Sequence, residues 1–406
     1  MIRRPIVVLA PNEWHGSWMN RQQLFSRIGK TRRVLYSTGA WTTRDIRRPA
    51  WRSAPLRGRW AQTDNVMVDV PPKLWLAQQR IPWLNMQVVR AMAARWRRAA
   101  GDEHVILYVF HPRFLPYVRW VRPELLVYHA YDLYEHQKGW TETLDRAQDE
   151  LIRRAHLVLA SSQVIADRLA SKGGRAVCML PNGADVEAFE TATLAPVESR
   201  LLDGIPRPRL GYAGNLNRKV DFALIASLAR RHPEWHFVLI GEVKDGAPIE
   251  QVQGCRNIHW LGPHDRKSIP HLLAGMDVNL ICNIVRDDLW AWGSYPLKLH
   301  EYLATGRPVV SSDILAVRPF SNVVAIARSC EEWETAIVAA LAGQAPGSID
   351  ERRMVARLNS WDARVSTLTA LLDDLEQPAS RSPLLDTPEA VSDTVPTPKN
   401  VTADSR

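Results

Sequence analysis

Ser294-Tyr-Pro-Leu-Lys-Leu-His-Glu-Tyr-Leu-Ala-Thr-Gly-Arg-Pro-Val-Val-Ser-Ser-Asp313 compresses a helix, its stop and a buried strand into one short stretch. Pro296 suits a first helical turn, where the missing N–H would have had no partner. Gly306 supplies the stop and Pro308 prevents continuation. The pattern predicts a helix over 296–304 and a strand over 309–311. On that helix Lys298 and Glu301 are three residues apart and share a face. A helix N-terminus attracts phosphate through its free N–H groups, and Lys298 adds a full charge there. Glu301 can accept two hydroxyl hydrogen bonds from a ribose, as the acidic residue of dinucleotide-binding folds does. The same spacing also fits a surface i,i+3 salt bridge, and spacing alone leaves both readings open.

Upstream of this stretch, apolar runs alternate with amphipathic ones. Strands are predicted at 210–213, 236–240, 258–261 and 278–282, with helices at 221–231 and 267–274. After it come helices at 330–342 and 349–376. The first half repeats the alternation, with strands at 6–10, 34–37, 66–70, 105–110, 125–129, 157–161 and 176–180 and helices at 18–28, 84–98 and 142–154. Such alternation implies βαβ units and parallel sheets, hence an α/β fold. Residues 42–63, rich in Arg, Pro and Trp, read as a loop. The Pro-containing segment 190–208 reads as a linker. The expected division is therefore 1–189, a linker at 190–208, 209–348, a final helix at 349–376, and a disordered Pro/Ser/Thr/Asp-rich tail at 377–406.

Three further segments offer polar groups at strand ends, where open α/β sheets gather ligands. In Leu210-Gly-Tyr-Ala-Gly-Asn-Leu-Asn-Arg-Lys-Val-Asp221, Gly214 lets backbone approach a ligand and Asn215 offers a polar contact. Arg218 suits bidentate phosphate contact and Lys219 point-charge contact; a plain turn with surface cations is the alternative. In Leu125-Leu-Val-Tyr-His-Ala-Tyr-Asp-Leu-Tyr134, His129 ends a strand and Asp132 follows, both able to orient or deprotonate a hydroxyl. A His and Asp that merely cap local backbone would look the same. The first loop, 11–18, carries Glu13, His15 and Gly16, with Gly16 allowing close approach of a sugar or phosphate. No acidic pair follows a strand in a metal-binding arrangement. Asp287-Asp288, in a predicted loop, is the nearest, and the cations make a metal unnecessary.

The 406 residues allow two domains with separate cores. Hydrophobic residues at 46% and charged ones at 23% are ordinary for a globular chain, and no apolar run approaches a membrane span. The apolar start at 6–10 is too short for a signal-peptide core, so a cytoplasmic protein is expected. Four scattered cysteines read as buried small hydrophobes. The net charge of +9 is uneven: residues 1–190 hold 29 Lys+Arg against 17 Asp+Glu, the remainder 23 against 26. Eight of the 16 tryptophans lie at 14–96 among Arg and Pro. Interleaved Trp and Arg suits an interfacial surface or base stacking. With no nucleic-acid motif present, a membrane surface is preferred.

These pieces together resemble GT-B glycosyltransferases of the family four group, especially the teichuronic-acid and exopolysaccharide type. The resemblance rests on "YPLKLHEYLATGRPVVSSD", "GYAGNLNRKVD", "PEWHFVLIGEV", "NIHWLGPHDRKSIPHLLAGMDVNL", "RRAHLVLASSQVIADRL", "LPNGADVEAF" and "RQQL" at 21–24, over about residues 5–375. It implies two Rossmann-like domains facing across a cleft, the C-terminal one holding a nucleotide sugar and the N-terminal one an acceptor. By position Glu301 would bind the ribose, and Lys298 and Arg218, with Lys219, the diphosphate. It further implies retention of anomeric configuration, no metal, and a final helix crossing back to the first domain. The sequence departs from the family at Gly293, where many members carry a second Glu eight residues before the ribose-binding one.

The expected protein is thus a sugar transferase of cell-surface polysaccharide synthesis, peripheral on the inner membrane face. Its partners would be a nucleotide sugar and a polyprenyl-pyrophosphate-linked or other glycan acceptor, with no cofactor and no nucleic acid. A nucleotide-sugar epimerase and a nucleic-acid-binding protein are the alternatives.

Overall fold

The computed structural model describes residues 3–16, 18–77, 81–101, 104–137, 139–174, 176–194, 200–286 and 293–377, which form two compact units. The first comprises residues 1–180 together with 365 onward, the second residues 181–364.

The strands of the first unit are β1 (Ile6–Leu9), β2 (Val34–Ser37), β3 (Trp41–Thr42), β4 (Arg59–Thr63), β5 (Val66–Val70), β6 (Leu76–Ala77), β7 (Ile106–Val109), β8 (Leu125–Ala130), β9 (Leu157–Ala160) and β10 (Cys178–Met179). Its helices are α1 (Asn20–Ile28), α2 (Pro49–Arg52), α3 (Pro82–Ala100), α4 (Leu115–Val121), α5 (Glu142–Arg154) and α6 (Gln163–Gly173). Eight strands make one sheet in the order β10-β9-β8-β7-β1-β2-β5-β4, parallel except for β4. The four-residue runs of β1, β7 and β9 are wholly buried, as a sheet covered on both faces requires. The chain runs outward from β1 through β2 in one direction and resumes at β7 on the other side, so β1 and β7 flank a switch point.

The segment 42–63 is not one loop. Its end forms β4, an edge strand that pairs antiparallel with β5 through Asp64-Asn65, both at positive φ. That two-residue turn fits a tight hairpin, and β4 is masked in sequence because an edge strand keeps polar, exposed residues such as Arg59 and Gln62. The tryptophans divide. Trp14, Trp41 and Trp96 are buried and donate to Asp64, the Pro71 carbonyl and Asp69, whereas Trp83 is exposed.

The second unit contains β11 (Arg209–Ala213), β12 (His236–Ile240), β13 (Ile258–Gly262), β14 (Val278–Ile281), β15 (Val309–Ser312) and β16 (Ala325–Ala327). Its helices are α7 (Val186–Leu194), α8 (Phe222–Arg231), α9 (Ser268–Ala274), α10 (Lys298–Ala304), α11 (Cys330–Leu341) and α12 (Ile349–Leu358), and α13 (Trp361–Leu375) begins there. The sheet is parallel in the order β13-β12-β11-β14-β15-β16, with its switch point between β11 and β14. Two apolar layers cover it, one including Leu299, Tyr302 and Leu303 of α10, the other Phe222 and Ile225 of α8.

Two expected boundaries move. The expected linker 190–208 lies inside the second unit: α7 packs on α9 and α10 and buries Val186 and Phe189. The expected single helix 349–376 is two. At the break, the Ala184 N–H donates to Asn359 O and the Trp361 N–H to Ala184 O, so this backbone pairs with the Pro181–Ala184 turn instead of continuing its helix. Distally, α13 belongs to the first unit, where Asp373 and Glu376 pair with the buried Arg32. The tail expected to be disordered lies outside the described residues from 378 onward.

Arg352 of α12 locks the stop of α10. Its Nε donates to Gly306 O at 3.0 Å and its Nη1 to Pro346 O and Gly347 O at 2.7 and 2.8 Å, all from a buried side chain. Arg352→Met should leave these carbonyls unpaired and cost about 2–4 kcal/mol, read as a lower urea midpoint for the second unit.

Candidate functional site

The carboxyl ends of β11 and β14 form the rim at the second unit's switch point. β11 runs into Gly214, at φ +139°, and β14 into Cys282. Helix α10 is fastened beside them. The Ala213 N–H donates to the Tyr302 hydroxyl at 2.7 Å, Tyr295 and His300 share a 2.6 Å hydrogen bond, and Asn182 donates to Tyr295 O. With Leu299, His300, Tyr302 and Leu303 buried, Lys298 and Glu301 remain half-buried at the rim.

The Lys298 ammonium is buried and has no hydrogen-bond partner. It lies 3.3 Å from the centre of the Tyr212 ring, and a Cβ at Gly214 would come within 3.0 Å of it. The ring face offers partial compensation for the charge but no lone pair. Burial, and then the positive charge of Lys219, hold Lys298 well below the usual lysine range. Burial lifts the Glu301 carboxyl to about 7, against the pull of Lys298 and of Arg266, which itself pairs with Asp185. The structure thus brings Gly214, Lys219, Lys298 and Glu301 together. Asn215 and Arg218 lie on the same turn, exposed. Asp221 caps α8 by accepting from the Leu224 N–H at 2.9 Å. Gly241, which the sequence reading passed over, abuts this turn: a Cβ there would meet Gly214 O at 2.0 Å. Its signal was a glycine straight after a strand adjacent to β11.

A buried ammonium with no hydrogen-bond partner and a second lysine close by suit an anion of two charges, and a carboxylate one turn away suits hydroxyls. Among the described residues no three His, Cys, Asp or Glu side chains converge as metal ligands. Asp287 and Asp288 lie outside the described residues.

In the first unit His129 is a core residue. It is 1% exposed, its Nδ1 bonds the Tyr108 hydroxyl at 2.7 Å, and burial pulls the ring down to about 3. A neutral imidazole packed among Tyr108 and Phe110 is placed to fix the sheet, not to meet a hydroxyl. Asp132 is half-buried, accepting from the Leu133 N–H and from Gln137 Nε2. His15 and Gly16 are exposed, and a Cβ on Gly16 would meet nothing, so packing does not require glycine there. The residue the sequence reading missed is His111, which follows β7 at the switch point. It is half-buried beside Tyr134, its Nδ1 accepts from the Arg113 N–H, and burial and the Arg113 charge bring it to about 3. The signal was a His-Pro pair directly after the strand 105–110.

The raised Glu301 carboxyl sets a pH test. Its protonated form is favoured by the fold, so its contribution is fully present below the unfolded value near 4.5 and is lost as pH rises through about 7. Glu301→Gln should therefore raise the melting temperature at pH 8 by roughly 2–6 °C and leave it nearly unchanged at pH 4.5. Equal shifts at both pH values would contradict this.

Residues 207–343 match the family described as glycosyl transferases group 1. The chain is 28% identical over 178 residues to TuaH, the candidate teichuronic acid biosynthesis glycosyltransferase of Bacillus subtilis (strain 168). That alignment spans 43% of this chain and only 44% of TuaH. Among solved structures, the sucrose-phosphate synthase of Thermosynechococcus elongatus superposes with a TM-score of 0.68 at 13% identity, covering 92% of this chain and 99% of that one. Anabaena HepE, in complex with UDP and glucose, gives 0.65 at 18% identity, covering 92% and 100%. No helix among the described residues is long and apolar enough to cross a membrane. The chain has the GT-B fold, and its residues 207–343 are similar to the group 1 glycosyl transferases.

Proposed function

We propose that this chain transfers a sugar from a nucleoside-diphosphate sugar to a glycan or lipid-linked acceptor in cell-surface polysaccharide synthesis, with retention of configuration and without a metal. The observation that carries the donor side is the buried Lys298 ammonium without a hydrogen-bond partner at the β11–β14 switch point. A diphosphate laid there would meet Lys298 and Lys219, and Glu301 would accept from the ribose hydroxyls. HepE, of the same fold, was solved with UDP and glucose, and TuaH is named for teichuronic acid biosynthesis.

In the reaction the bond from the sugar C1 to the β-phosphate oxygen breaks and a C1–oxygen bond to the acceptor forms. The nucleoside diphosphate leaves with the bonding electrons, and the two lysines stabilise the charge that develops on it. This is the charge a metal would otherwise neutralise. The acceptor's proton would go to the Asp132 carboxylate at the end of β8, and not to His129, whose ring burial keeps neutral in the core.

We also propose that the first unit rests on an anionic membrane at the inner face. Among the described residues, its large apolar side chains that stand out in solvent are Ile46, Leu56, Leu74, Ile81 and Trp83, all from one segment. Leu56 and Leu74 are 70% and 71% exposed and are neighbours, because the Lys73 N–H donates to Pro55 O. Exposed Arg47, Arg48, Arg52 and Arg57 surround them in sequence. Apolar tips within a basic field match a headgroup layer.

Lys298→Ala and Glu301→Ala should each weaken UDP binding by about 10- to 100-fold in calorimetry, roughly 1.4–2.8 kcal/mol. Full-strength binding in both would remove the donor assignment. EDTA should leave donor turnover unchanged. Leu56→Ser/Leu74→Ser should abolish sedimentation with phosphatidylglycerol vesicles and leave UDP affinity intact; persistent sedimentation would overturn the membrane surface.

A further inference from the structure

The first unit contains a second cation without a counter-ion. Arg21, the second residue of α1, is 1% exposed, and its Nε and Nη1 have no hydrogen-bond partner. Its remaining nitrogen reaches Met19 Sδ at 3.1 Å, and the guanidinium lies 5.3 Å from the centre of the Tyr131 ring. No described carboxylate pairs with it. The other buried arginine of this unit, Arg32, is neutralised by Asp373 and Glu376, and the half-buried Arg95 by Asp69. A guanidinium keeps its charge at any physiological pH, and a buried charge without partner or full hydrogen bonding is costly.

Its position is as informative as its isolation. α1 follows β1, one of the two strands flanking the switch point, and its first turn holds no acidic residue. The Gln22 amide donates to Trp14 O at 3.2 Å and Gln22 Oε1 accepts from the Met19 N–H, which ties the β1–α1 loop to the helix start. Tyr131 follows β8, and burial raises its hydroxyl while the Arg21 charge lowers it. Arg113, which follows β7, donates to Pro11 O and Thr38 O at the ends of the loops leaving β1 and β2. Two guanidiniums thus converge where four strands end, and the buried one, beside the Tyr131 hydroxyl, has no carboxylate partner among the described residues. The nearest acidic groups are otherwise placed: Asp132 is bound by Leu133 and Gln137, Asp45 by Thr42 and Arg48, and Glu13 is exposed.

We infer that Arg21, with the start of α1 and Arg113, forms an oxyanion subsite in the first unit that takes a phosphate group of the substrate. Planar paired donors match a phosphate edge, and the helix start adds further N–H groups. Assigning that phosphate to the acceptor, as in a lipid pyrophosphate, rests on the transferase reading. The subsite itself does not, because it stands on residues separate from the Lys298 site.

Hydrogen exchange read by mass spectrometry separates the two sites within the full chain. Inorganic pyrophosphate should slow exchange in peptide 11–28. Arg21→Met should abolish that protection and leave protection by UDP in peptide 293–304 unchanged, and Lys298→Ala should do the reverse. Farnesyl pyrophosphate protecting 11–28 where UDP does not assigns the phosphate to the acceptor; protection by UDP assigns it to the donor. Because Arg21 has no carboxylate partner to lose, Arg21→Met should also keep or raise the melting temperature in phosphate-free buffer. Absence of protection in the wild type, its persistence in Arg21→Met, or loss of folding in both Arg21→Met and Arg21→Lys would overturn the subsite, the last by making the guanidinium a structural element.

Discussion

An ammonium held out of water with only a tyrosine ring beneath it is an unstable arrangement, and much of the second unit is organised around maintaining it at Lys298. Three constraints act together. The backbone at Gly214 leaves room that a Cβ would fill. Gly241 leaves room in turn for the Gly214 backbone. The Tyr302 hydroxyl ties α10 to the end of β11, which fixes where Lys298 can reach. Remove any one and the cation either gains water or loses its place.

The ionisation of the rim points the same way. Burial works against charge on both Lys298 and Glu301, depressing one and lifting the other, and they offset each other only partly. A rim tuned for stability alone would replace both with apolar groups, since burying either charge costs more than the partial offset returns. The Arg266–Asp185 pair extends this network to the start of α7, and the segment that looks like a linker has structural weight through its buried Leu202 and Ile205.

The first unit shares the architecture and differs in what fills the rim. Its switch point is lined by rings, with His111 against Tyr134 and Arg21 over Tyr131, and its charges are guanidiniums instead of an ammonium. Guanidiniums differ from an ammonium in offering planar, paired donors, so the two rims differ in chemistry although the sheets share one architecture. Stability and exposure are also distributed differently. The Trp14, Trp41 and Trp96 rings serve the core, while the apolar side chains left in solvent gather in the segment around Leu56, Leu74 and Trp83.

Local pattern determined the strands at 34–37 and 66–70, the helix at 142–154, the α/β class and the pairing of Lys298 with Glu301 on one helix face. Each depends on neighbours within a turn or a strand, where burial and backbone period are written directly into residue order. What the sequence could not decide was which polar residues are covered. His129 and His111 look alike as strand-end histidines, yet β8 lies one strand away from the switch point and β7 lies on it, and only strand order separates a core ring from a rim ring. The edge strand β4, the break between α12 and α13, and the isolation of Arg21 are likewise products of contacts between distant residues. Whether a charge has a partner depends on which elements pack around it, and that is settled only when the chain has folded.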